Sequence, residues 1–140
     1  MNFDYDNRHY SLEFNSMVIQ VMGESAIGKS LMYQDLQAYI NANPELGLEN
    51  DFLFVNAQNK KEYTDVKRLR GYKYVVIDNA DIVLTPDIDR EIIESQKDSR
   101  NYWVLIGREP RGSVVGNSVG MLVHESKDGQ HYFKMDYSKR

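Results

Sequence analysis

With 140 residues, 41% of them hydrophobic and 27% charged, the chain can bury one sizeable core but is too short for two ordinary domains, so a single domain over residues 1–140 is expected. A formal net charge of -4 gives no whole-chain reason to look for nucleic acid or an anionic membrane as partner. Cysteine is absent, which excludes disulfides and thiolate metal sites, and no apolar run approaches a membrane span or a signal peptide, so a cytoplasmic protein with no membrane partner is expected.

The aromatic-rich segment from Asn2 to Asn15 reads either as an added edge strand or as cover for an apolar face. Met17 to Met22 (MVIQVM) is a nearly continuous apolar run that stops at Gly23, the pattern of a strand buried on both faces. Beyond the glycine-bearing loop, Leu31, Met32, Leu36, Tyr39 and Ile40 recur at helical spacing until Asn-Ala-Asn-Pro at 41–44. Asp51 to Ala57 is a second strand candidate, Lys60 to Arg70 a short helix or solvated connection, and Tyr72 to Ile77 a third strand ending at Asp78. Thr85, Pro86 and Asp87 make a helix start, since threonine caps, proline suits the first turn and acids favour its positive end; that helix should run to about Lys97. Tyr102 to Ile106 is a fourth strand, and the glycine-rich 107–118 stretch a flexible connection. Val119 to His124 and Gln130 to Met135 flank Ser-Lys-Asp-Gly and predict an antiparallel hairpin with a four-residue turn. Alternating strands and helices predict an α/β fold, a three-layer sandwich with a mostly parallel sheet and a C-terminal β-hairpin.

Gly23-Glu24-Ser25-Ala26-Ile27-Gly28-Lys29-Ser30 fits G-x-x-x-x-G-K-[ST] at every fixed position, between an apolar strand and a helix that opens with Leu31. Glycines let the backbone curl so that successive N–H groups point at phosphate oxygens, and the helix adds its positive end. Lys29 supplies a charge for the β- and γ-phosphates, and the Ser30 hydroxyl can ligate Mg2+. The second element is Tyr74-Val75-Val76-Ile77-Asp78, a strand ending in an acid that can orient magnesium and its water.

Over about Met17 to Gly107 the sequence resembles the P-loop NTPase superfamily. The wide spacing from Lys29 to Asp78, with a strand between them and another after, resembles the additional-strand division that includes AAA-type and RecA-like ATPases. That likeness implies a Walker B role for Asp78 and a sensor strand, Tyr102 to Ile106, lying between the P-loop and Walker B strands. The short core also resembles phage and mobile-element ATPases of the zonula occludens toxin-like group. ATP with magnesium is the implied ligand. Efficient hydrolases of the division carry glutamate after the Walker B aspartate, whereas Asn79 stands here; Asp81 or Glu24 could substitute by geometry. Arg108 and Arg111 could approach a γ-phosphate in the same subunit or a neighbour, or could be solvated arginines on a loop.

The spacing of His9, His124 and His131 does not suggest a metal site, and Trp103 reads as core. Lys60, Lys61, Lys67, Arg68, Arg70 and Lys73 form a basic cluster interrupted by Glu62 and Asp65, read first as a solvated run and second as a nucleic-acid surface. The leading expectation is an ATP- and magnesium-binding module, a slow ATPase acting as a switch or as an assembly component with a protein partner or a second copy. The alternatives are a small-molecule or nucleotide kinase, and a nucleotide-dependent interaction protein that does not hydrolyse.

Overall fold

A computed structural model describes residues 1–14, 16–22, 28–108 and 118–137. Eight strands form one sheet: β1 (Asn2–Tyr5), β2 (Arg8–Ser11), β3 (Val18–Met22), β4 (Phe52–Val55), β5 (Tyr74–Ile77), β6 (Tyr102–Ile106), β7 (Ser118–Lys127) and β8 (Gln130–Asp136). Their order across the sheet is β1-β2-β8-β7-β3-β6-β5-β4. The helices are α1 (Lys29–Ala42), the short α2 (Ala80–Val83) and α3 (Pro86–Asp98), where Thr85 Oγ1 accepts from the Ile88 N–H as the expected cap.

The expectation of a mostly parallel three-layer sandwich with an appended hairpin is overturned: the sheet is mixed and curls into a half-barrel with few helices. The β7–β8 hairpin is built into the sheet, with β7 parallel to β3 and β8 parallel to β2, while β1–β2 and β7–β8 are antiparallel pairs. Two local causes account for the difference. Asp6, at φ 53°, turns the N-terminal segment back on itself, so its aromatic residues become two strands. The Lys60–Arg70 stretch folds as two 3-10 turns, Lys60–Tyr63 and Val66–Leu69, which set Leu69, with Tyr63 and Val66, against the α3-side core in place of a further covering helix. The far face of the added half therefore stays open, with Tyr132, Lys134 and Glu125 exposed.

In the β3-β6-β5-β4 half, alternation along each strand feeds two cores. Ile19, Val21, Val76, Val104 and Ile106 pack with Met32, Leu36 and Ile40 of α1. Val75, Ile77, Trp103 and Leu105 pack with Ile88 and Ile92 of α3, and the Trp103 indole N–H donates to Ser95 Oγ at 2.6 Å.

In the other half the register aligns four rings, Phe3 on β1, Tyr10 on β2, Phe133 on β8 and His124 on β7. Successive centroids lie 4.6, 4.8 and 4.7 Å apart, a cross-strand ladder in which each contact contributes about 0.5–1.5 kcal/mol beyond area burial. Asp35 fastens this half to α1: it accepts from Arg8 Nε and Nη2 at 2.6 and 2.9 Å and from the Tyr10 hydroxyl. Burial and the Asp35 carboxylate push the Tyr10 hydroxyl far above its ordinary pKa, so it remains a donor.

Candidate functional site

The parallel strands β3, β6, β5 and β4 end on one side of the sheet, where α1 begins. Gly28 precedes α1 in the left-handed region, at φ 93° and ψ 23°. A Cβ at Gly28 would lie 3.1 Å from Phe133 Cε1, so both backbone and packing require glycine there. Of the motif, Gly23, Glu24, Ser25, Ala26 and Ile27 lie outside the described residues, as does Arg111.

Lys29 opens α1 with 5% of its surface exposed. Ser30 follows, and its Oγ lies 3.2 and 3.3 Å from the two carboxylate oxygens of Asp78. Asp78 is the first residue beyond β5, and its backbone N–H donates to Val55 of β4 at 2.9 Å, which fixes where the carboxylate emerges. Lys29, Ser30, Asp78, Asn79, Gly107 and Arg108 line a cavity of about 280 Å³. Two cations, Lys29 and Arg108, a hydroxyl and a carboxylate thus converge on a recess at the strand ends.

Asn79 is exposed and left-handed, at φ 54° and ψ 50°, and precedes α2. Asparagine tolerates that region better than most residues, so position 79 has a backbone reason for its identity. Asp81 points away from a freely reacting role, since Oδ2 accepts from the Arg108 N–H at 3.0 Å. A Cβ at Gly107 would stand 3.3 Å from the same carboxylate, so glycine there lets Asp81 clamp the exit of β6. Tyr33, pushed up to about 12 by burial and the nearby Asp78 charge, remains neutral and accepts from Asn56 Nδ2 at 3.3 Å.

Ser30 and Asp78 are hard oxygen donors, as magnesium prefers, and a hydroxyl, a carboxylate, phosphate oxygens and water suffice for that ion. Among the described residues no group of three or more His, Cys, Asp or Glu forms a complete metal cage.

Leu31, which follows the motif and is grouped with it as a nucleotide contact, lines a second cavity of about 350 Å³ with Gly28, Phe133, His124 and His131. The spacing of His124 and His131 in the sequence does not reveal that they approach α1. The signal was their shared face: His124 lies directly opposite Phe133, and His131 two residues before it. A larger cavity of about 690 Å³ lies near Arg70, Glu91 and Arg100, where the buried carboxylate accepts from both arginines at 2.7 to 2.9 Å. Arg70 of the basic cluster is thereby paired, while Lys60, Lys61, Lys67, Arg68 and Lys73 are exposed. Among the described residues no helix is long and apolar enough to cross a membrane.

No protein-family model matches the chain, and no curated protein matches it.

Proposed function

We propose that the chain binds a nucleoside triphosphate with magnesium, ATP foremost, at the carboxyl ends of β3, β6 and β5, and that it turns the nucleotide over slowly as a switch or assembly component. The observation that carries this reading is the Ser30 hydroxyl held against the Asp78 carboxylate beside Lys29, across 48 residues of sequence. Lys29 and the N–H groups at the start of α1 meet the phosphate charge. Ser30 and Asp78 would hold the magnesium ion, which would supply positive charge against the phosphates. Arg108 adds a second positive group at the cavity wall. The strand order supports the reading as well, with β6 between β3 and β5, as the resemblance to additional-strand ATPases implies.

Slow turnover follows from the acids. Position 79 offers an amide, which cannot accept a proton as a base, and the Asp81 carboxylate is engaged by the Arg108 N–H. The same two features favour a second reading, in which bound nucleotide shifts a surface recognised by a protein partner or a second copy with little turnover. Thermal unfolding tests the proposal. Millimolar ATP with magnesium should raise the melting temperature by preferential binding to the native state, and Lys29→Ala should remove most of the rise. An unchanged curve for the unsubstituted protein refutes it.

A further inference from the structure

The aromatic ladder ends at His124 of β7. In the sheet β3 is paired with β7 only as far as Met22 opposite Met121, whereas β7 continues to Lys127. From Leu122 onward, then, the side of β7 away from β8 has no strand neighbour among the described residues. His124 is in this stretch and is exposed, with one ring neighbour in Phe133, at 4.7 Å, and another in His131, at 5.1 Å. His124 Nε2 and His131 Nδ1 are 2.9 Å apart, and the two imidazole planes are 23° apart, so the rings are held near-parallel as one platform.

This platform walls the cavity of about 350 Å³ that Gly28 and Leu31 close on the α1 side. The two cavities therefore flank the same helix start: Lys29 and Ser30 line the polar one, Gly28 and Leu31 the aromatic one. The charges around the second cavity decide what it can take. Arg8, its cation, is bound through two nitrogens to Asp35, which offsets its charge. Asn7 also lines this cavity, and its amide N–H donates to the Gly129 carbonyl at 2.9 Å, which leaves the side chain's carbonyl oxygen as an acceptor. Flat rings, a compensated cation and an amide oxygen suit a neutral heteroaromatic group with an exocyclic amine, and do not suit a second phosphate.

We infer that the cavity between His124, His131, Phe133 and Leu31 is a nucleobase subsite, in which the base stacks on the exposed end of the aromatic ladder. The inference rests on the nucleotide-binding reading above, and assigns the base of that same ligand. A purine, with its larger stacking face and, in adenine, an exocyclic amine for Asn7, should bind more tightly than a pyrimidine.

The test compares magnesium-ATP, magnesium-CTP and magnesium tripolyphosphate by calorimetry on the full chain. ATP should bind more tightly than tripolyphosphate, with CTP between. His124→Ala, at an exposed position, should weaken ATP about five-fold or more and leave tripolyphosphate unchanged, while His124→Phe, which keeps a flat ring, should retain most of the ATP affinity. If ATP and tripolyphosphate bind equally, or if His124→Ala leaves their ratio unchanged, the base subsite is refuted and the phosphate reading stands. If neither ligand binds the unsubstituted protein, both are refuted.

Discussion

Ser30 Oγ lies within 3.3 Å of both carboxylate oxygens of Asp78, joining the first turn of α1 to the end of β5. Two oxygen donors held this way should act on the metal rather than on the phosphates. Asp78→Asn is therefore expected to weaken ATP binding about ten-fold or more with magnesium and much less in its absence, a difference of about 1.4 kcal/mol for each factor of ten. Titrations with and without EDTA measure it. Equal losses in the two conditions would remove the metal role from Asp78.

Gly28 faces two constraints, and a substitution series separates them. Gly28→Ala places a side chain at φ 93° and 3.1 Å from Phe133, and should cost about 1–2 kcal/mol for the backbone alone plus a packing term. Phe133→Leu in the Gly28→Ala background should recover the packing term and leave the backbone cost. Chemical denaturation of the single and double variants reads this as non-additivity. Additive losses would mean that the ring and the glycine do not compete for the same space.

Asn79 links mechanism to backbone. The unsubstituted protein should hydrolyse ATP well below the roughly 10 per second of a typical enzyme. Asn79→Glu should raise phosphate release by supplying a carboxylate, while lowering stability by about 1 kcal/mol because glutamate enters the left-handed region less readily. Asn79→Gly should keep the stability and leave turnover low. Fast hydrolysis by the unsubstituted chain would direct attention to Asp81.

A pH prediction rests on Glu91, whose carboxyl is held below its ordinary value of 4.5 by hydrogen bonds from Arg70 and then Arg100. A group depressed in the folded state stabilises fully above its unfolded pKa, and that contribution is lost as pH falls below about 4.5. Glu91→Gln should lower stability at neutral pH by about 1–3 kcal/mol and flatten the acid limb of the stability profile. Parallel acid limbs in the two proteins would show that Glu91 is not the group responsible.

Legibility in the sequence followed the range of the interactions. The runs that became β3, β5 and β6 are apolar because both faces are buried, and that is visible residue by residue in Val18–Met22, Tyr74–Ile77 and Tyr102–Ile106. The start of α3 was equally legible, because Thr85 and Pro86 act locally. The hairpin turn came out shorter than its polar residues suggest: Asp128 and Gly129, both with positive φ, turn the chain, and Ser126 and Lys127 remain in β7. What could not be read was the pairing of β2 with β8, which matches Tyr10 to Phe133 across the length of the chain and leaves no local trace. It joins two antiparallel hairpins, β1–β2 and β7–β8, which make the sheet mixed, while the pairing of β7 with β3 carries His124 to the start of α1. The polar part of the candidate site was legible as motifs at Lys29, Ser30 and Asp78, whereas its aromatic wall was not.

The most direct test of nucleotide binding at the end of β3 is a calorimetric titration of magnesium-ATP into the unsubstituted protein and into Lys29→Ala. Saturable binding with one nucleotide per chain is expected for the former, and a loss of at least ten-fold in affinity for the latter. Equal affinity in the two proteins, or no heat from either at millimolar nucleotide, would contradict the account.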